Sequence, residues 1–324
     1  MENQTAVKHF LLLGFTEIFW IKILLFLLLL IVYLLTLLGN MTIILVTVLN
    51  GHLHTPMYFF LRNFSIVEMG FISIAIPNML FQLLSRQKTI SSVACFTQVF
   101  FAYFLGIMEF CLLAVMAVDR YVAICHPFRY SIIMHHKLCV QLVVSCWLVS
   151  FLCSLTPILF LTRLPFCGPN TIDHFMCDSA PLIHLACSDT QFVDLLYLVI
   201  AIIVLLGTLV IVVASYIKII SAVLHLPSAK ERNRTFSTCS SHFLVVTLLY
   251  GSCIFVYIQP EQQRRLEFNK EVSILNMAVC PLLNPFIYSF RNKRMQEALR
   301  VTGGRWISKW RISSGPATAN TERM

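Results

Sequence analysis

The sequence predicts an all-α membrane protein: a seven-transmembrane helix bundle with a short amphipathic helix after the seventh span. Three observations predict it. Of 324 residues, 58% are apolar and only 12% are charged, about half the charged share of an ordinary soluble domain. Seven apolar stretches are long enough to cross about 30 Å of hydrocarbon, which takes roughly 20 residues. The segments between them leave no room for a soluble domain. So few charges cannot cover a water-soluble fold, which excludes secreted, nucleic-acid-binding and disordered classes. The net charge of +9 therefore reports on the sides of a lipid bilayer, not on a nucleic-acid partner.

The first span runs from Ile23 to Leu49 almost uninterrupted. It is longer than a signal-peptide core, and no basic n-region with a cleavage site precedes it, so it is expected to stay as an anchor. The second runs from Tyr58 to Leu84, the third from Val93 to Ile124, and the fourth from Leu138 to Leu161. The fifth covers Phe192 to Leu224, the sixth Phe236 to Ile258, and the seventh Val272 to Phe290. The third and seventh carry the most polar atoms and should face the bundle. From Phe290 to Val301 a short helix should lie along the membrane, with Arg291, Lys293, Arg294 and Arg300 toward the headgroups. The Ser-Gly-Pro-Ala-Thr tail beyond Ile312 reads as disordered. The expected organisation is an extracellular segment over 1–22, the membrane domain over 23–290, and a cytoplasmic helix and tail over 291–324.

Seven spans put the termini on opposite sides, and the positive-inside rule chooses between them. One side holds Lys8, Lys22, Arg86, Lys88, Arg163, Arg264, Arg265 and Lys270. The C-terminal side holds 16 of the 24 Lys and Arg, and only Asp119, Glu231, Glu297 and Glu322 among the acids. That side should be cytoplasmic. Asn3-Gln4-Thr5 then becomes an outward-facing glycosylation acceptor at Asn3. Of 12 cysteines, Cys95, Cys167, Cys177 and Cys187 fall at outer positions. An even number there suits two disulfides in an oxidising compartment, and spacing leaves all three pairings open.

Glu68 and Glu109 are acids set well inside the membrane. Buried carboxylates need protons, partners or a cation. Glu109 precedes Arg120 by 11 residues, close to three helical turns, so both face one way. Asn40, Glu68, Glu109 and Asn284 can therefore meet in one polar cluster. It would serve as a sodium or shared-proton site favouring a resting state, or as a purely structural hydrogen-bonded group. No other cofactor and no metal site is expected. His174 lies three residues before Cys177, but a bridged cysteine is no thiolate ligand.

The motifs are more specific than the architecture. Met116-Ala117-Val118-Asp119-Arg120-Tyr121-Val122-Ala123-Ile124-Cys125 closes the third span, and Leu53-His54-Thr55-Pro56-Met57-Tyr58 lies before the second. Ser215-Tyr216 lies in the fifth, and Thr235-Phe236-Ser237-Thr238-Cys239-Ser240-Ser241-His242 opens the sixth. Pro281-Leu282-Leu283-Asn284-Pro285-Phe286-Ile287-Tyr288 ends the seventh; Gly39-Asn40 and Trp147 complete the set. In this order the chain resembles the odorant (olfactory) receptors of the rhodopsin-like G-protein-coupled receptor family. It departs from the family pattern at Val118, Arg234-Thr235 and Glu68.

The resemblance implies an activation switch. Arg120 would contact a G protein or neighbouring helices when active, Asp119 would restrain it at rest, and Tyr121 completes the motif. Tyr216 and Tyr288 would close a network around the arginine, with Asn284-Pro285 as the bend in the seventh span. It also implies that Cys95 pairs with Cys177, and Cys167 with Cys187, fixing the second outer loop as a lid. In family register the ligand pocket takes Ala102, Tyr103 and Gly106 from the third span and Tyr197, Ile200, Ala201 and Val204 from the fifth. Tyr250, Cys253, Ile254 and Tyr257 come from the sixth, and Ser273, Ile274 and Met277 from the seventh. This set is apolar with a few hydroxyls and suits a small volatile organic ligand. Amine-binding relatives carry a carboxylate where this chain has Ala102, which disfavours a dedicated amine site. The implied partner is a stimulatory or olfactory-type G protein that raises cAMP, at the plasma membrane.

Other classes fit worse. His126, His135 and His136 lie in an inner loop, and no His-Glu-x-x-His or nucleophile motif supports an enzyme. No repeat supports a transporter, and two intramembrane acids are thin support for a conduction path. A rhodopsin-like receptor for another small ligand is the nearest alternative. The absence of lysine from the seventh span excludes a Schiff base to retinal.

Overall fold

The computed structural model describes residues 7–14, 18–85, 88–167, 170–225, 228–258, 275–291, 294–302 and 304. Among the described residues, seven long helices form the bundle. They are α1 Phe19–Leu49, α2 Pro56–Leu84, α3 Ser92–Cys125, α4 His136–Leu161, α5 Gln191–Leu224 and α6 Ala229–Ile258. The seventh, α7, opens with a π-helical turn at Leu275–Val279 and continues as Cys280–Arg291. Residues 294–302 are helical and form α8. Helices α1 to α5 are each long and apolar enough to cross a membrane. Shorter apolar segments, Cys239–Ile254 and Met277–Tyr288, lie in α6 and α7.

Local chemistry sets several helix ends. Pro56 sits in the first turn of α2, where its missing N–H costs nothing. The Ser91 hydroxyl accepts from Ala94 N at 3.2 Å and caps α3. Inside the spans, hydroxyls return to their own helix. Thr36, Thr47, Thr208 and Ser215 each donate to the carbonyl four residues back, at 2.6 to 2.8 Å. This satisfies a polar atom where no water is at hand.

Helix α3 is the axis. It packs on α2, α4, α5 and α6, while α1 packs on α2 and α7. Half of the apolar window of α3 is buried, against 11% for α1. The face of α1 that stays uncovered is Leu-rich and suits lipid, as the hydropathy pattern expects.

A small sheet closes one end of the bundle. The N-terminal strand β1, His9–Leu12, lies between β2, Thr89–Ser91, and β3, Thr171–Ile172. It runs antiparallel to β2, with Phe10 opposite Ile90, and parallel to β3, with Leu12 opposite Ile172. Alternation puts Phe10 and Leu12 fully inside and leaves Leu11 outside. The Phe10 ring meets Phe96 and Phe166 edge-on, at 6.2 and 5.6 Å. A four-residue strand carries too little periodicity to be seen in the sequence, which is why residues 1–22 read only as an outer segment.

Helices α1 and α7 touch at Gly39. A Cβ there would stand 2.8 Å from Pro285 Cβ, closer than two carbons can pack. Replacing Gly39 with Ala should force the helices apart and cost about 1–3 kcal/mol. The expected result is a lower melting temperature for the purified protein, and an unchanged melt would show that the contact is not tight.

Candidate functional site

A cavity of about 280 Å³ opens between the helices near the sheet end, close to the lower bound of small-molecule sites at roughly 300 Å³. Its wall takes Phe71 from α2 and Ala102, Tyr103, Gly106, Ile107 and Phe110 from α3. Ile200, Ala201, Val204 and Leu205 come from α5, Cys253 from α6 and Met277 from α7. The loop before α5 contributes His174, Met176 and Asp178.

The loop is pinned there by bonds to α3. Cys95 is disulfide-bonded to Cys177, and Cys167 to Cys187. Gln98, one turn below Cys95, accepts from Cys177 N at 2.9 Å and donates to Ile74 O at 3.0 Å. Gln82 on α2 donates to Phe175 O at 3.3 Å. The three loop residues in the wall flank Cys177, so the disulfide decides which side chains look into the cavity.

Among the residues expected to line the pocket, Ala102, Tyr103, Gly106, Ile200, Ala201, Val204, Cys253 and Met277 do so. Tyr197 stands behind the wall with its ring 5.0 Å from that of Tyr103. Tyr250 is buried against Phe110, also at 5.0 Å. Ile254 is 44% exposed and does not line the cavity. It follows Cys253 by one residue, about 100° around the helix, so only one of the two can face inward. The Tyr257 side chain, Ser273, Ile274 and Asn3 lie outside the described residues.

Deeper in the bundle, α1, α2, α3 and α7 bring Asn40, Glu68, Glu109 and Asn284 together, all buried. Asn284 Nδ2 donates to Glu68 Oε1. The Asn40 amide and the Glu109 carboxyl lie within reach of Glu68. Asn40 Nδ2 also donates to Thr36 O at 3.2 Å. Among the described residues, Asn40 Oδ1, Ser65 Oγ and Glu109 Oε1 have no hydrogen-bond partner.

At the opposite end, Asp119 is fully buried. Its Oδ1 accepts from the Tyr130 hydroxyl at 2.8 Å, and Oδ2 has no partner among the described residues. Burial, then the Asp119 charge, pushes the Tyr130 phenol up, so it remains a donor at neutral pH. Arg120 sends Nε to Met57 Sδ at 3.2 Å, and its charge reaches Tyr216, His242 and Tyr288. Tyr121 turns to His126 Nε2 at 3.2 Å. His242 Nε2 lies 3.2 Å from Leu113 O and its Nδ1 lies 2.7 Å from Tyr216 OH. A carbonyl only accepts, so Nε2 carries the proton and Nδ1 accepts from the tyrosine. One imidazole thus joins α3, α5 and α6.

Comparison with known proteins agrees with this architecture. The olfactory receptor family model matches residues 29–302, from α1 into α8. Mouse olfactory receptor 6E1 is 49% identical over 93% of this chain and 96% of its own length. The chain belongs to the olfactory receptor family. Human olfactory receptor 6C4 is 48% identical, over 93% of this chain and 97% of that one. Squid rhodopsin shares the fold, with a TM-score of 0.72 and 18% identity over 95% of this chain and 94% of that one. The protein is therefore a multi-pass membrane receptor and not an enzyme.

Several residues of the receptor were not singled out from the sequence. His242 stood at the end of a motif, but nothing local showed that it bridges three helices. Tyr130 lies in a separate helical turn, Tyr130–Ile133, and pairs with Asp119 only in three dimensions. Phe71, Ile107, Phe110 and Leu205 resemble ordinary core residues in any apolar helix.

Tyr216→Phe would leave His242 Nδ1 buried without its donor. The expected cost is about 1–3 kcal/mol, seen as a lower melting temperature in detergent. No shift would mean that the hydroxyl and imidazole are not paired.

Proposed function

We propose that this receptor binds a small, mostly apolar volatile organic ligand in the cavity and activates a stimulatory or olfactory-type G protein, raising cAMP. The observation that carries the proposal is the apolar, disulfide-roofed cavity in a chain of the olfactory receptor family. Its size and lining suit a ligand held by shape and one or two hydrogen bonds. The charge bias of the loops supports a cytoplasmic C-terminus at the plasma membrane, with the sheet end outside.

Ligand acts by population shift: only its extra affinity for the active arrangement drives the change. The Tyr216–His242–Leu113 link holds the inner end of α6 to α3 and α5 at rest. Its release lets α6 move outward beside Arg120, which then meets the G protein. Asp119, restrained by Tyr130, Tyr121, Tyr288 and the Asn284-Pro285 bend belong to the same switch. Arg120→Ala should abolish odorant-dependent cAMP in a panel screen while surface labelling stays near normal. Full signalling by that variant would refute the role.

The polar cluster is proposed as a sodium site of the resting state. Unfilled oxygens on Asn40, Ser65 and Glu109 beside the Glu68 carboxyl suit a hard cation. Replacing Na⁺ with a bulky organic cation should raise agonist potency in purified receptor. Equal potency in both media would leave the cluster a structural one.

A further inference from the structure

We infer that the cavity selects ligands with a hydrogen-bond-donating head, an alcohol or an amine, and that Asp178 receives that head. The inference rests on the proposed function and deepens it.

The wall of the cavity is uneven. Most of it is apolar, and among the described residues the oxygen- and nitrogen-bearing side chains in the lining are Tyr103, His174 and Asp178. Asp178 follows Cys177 directly, so the bond to Cys95 and the Gln98 hydrogen bond fix its backbone over the cavity. Its Oδ1 accepts from Ser179 N at 2.7 Å. Among the described residues no donor reaches Oδ2. Behind the wall, the Tyr197 hydroxyl is buried with no hydrogen-bond partner among the described residues and lies within electrostatic reach of Asp178. The neighbouring Tyr103 hydroxyl is paired with Ser179 Oγ at 2.7 Å.

An ionised carboxylate can only accept. A ligand that closes the cavity without offering a proton strips water from Asp178 and gives nothing back. A site of this kind rejects analogues that lack the donor more strongly than it rejects a change in chain length. The carboxylate that α3 lacks at Ala102 is thus supplied by the loop. This reverses the weight that Ala102 carried against amines when the sequence was read alone.

Asp178 also caps the short helix Ser179–His184, and the experiment separates the two roles. n-Alkanols, n-alkylamines, n-alkyl methyl ethers and alkanes of matched length are tested on the full-length receptor with a cAMP reporter and surface labelling. In the unmodified receptor the alcohols or amines should be at least about tenfold more potent than the ethers, or about 1.4 kcal/mol. Asp178→Ala should erase that gap and leave the weak ether response in place. Asp178→Asn keeps an equally good helix cap and loses the charge, so amines should lose their advantage and alcohols should retain part of it. Ethers or alkanes matching the donors, an equal loss for every compound in Asp178→Ala, or silence toward all donors would overturn the assignment. Any response to ethers or alkanes would leave the receptor function itself standing, and the Arg120→Ala comparison judges that function separately.

Discussion

A polar group inside a bilayer has no water to fall back on, and that constraint orders this receptor. Threonine and serine hydroxyls turn back onto their own helices. The stronger groups cannot be satisfied that way and are drawn to α3, the most enclosed of helices α1 to α5. Gln98, Glu109, Asp119 and Arg120 sit on it, and Glu68, Asn284 and His242 approach from other helices. What looks like a functional map is first a solution to a solvation problem. Function uses the groups that this solution leaves only partly satisfied.

The two ends of the bundle differ in how they are held. The sheet end has covalent ties, a three-stranded sheet and the aromatic contacts of Phe10. It fixes the loop and therefore the shape of the cavity. The Arg120 end is held by apolar packing and by single hydrogen bonds, from Tyr130 to Asp119 and from Tyr216 to His242. Bonds of this kind contribute about 1 kcal/mol each, so a modest difference in ligand affinity can outweigh them. The proposed population shift across a bilayer needs a rigid receiving end and a more loosely held transmitting end, and this contrast fits it.

The order of groups along α3 links the two ends. Tyr103 and Gly106 face the cavity, Glu109 joins the polar cluster, Leu113 receives His242, and Arg120 closes the helix. These positions fall at helical spacing on neighbouring faces of one rod. In the proposed function, movement of a ligand against the cavity end of α3 would be passed to packed neighbours along its length.

Much of this was legible in the sequence. The seven spans were visible because an apolar run of membrane length is a local signal, and α1 to α5 begin and end within a few residues of the expected bounds; α6 begins earlier, at Ala229. Most of the cavity-facing residues of α3 and α5 were legible from the family register, and helical spacing explains why they share a side. Ile254 shows the limit of that reasoning: one residue of error in register turns a side chain from cavity to lipid. The strand at His9–Leu12, the pairing of Asp119 with Tyr130, and the descent of Asp178 into the cavity are contacts between distant segments. Each segment alone has weak local preference. Sequence by itself determined that the chain spans a membrane seven times and which spans carry the polar groups. Tertiary structure decided which polar groups meet, because that depends on how the helices and the disulfide-bound loop pack together.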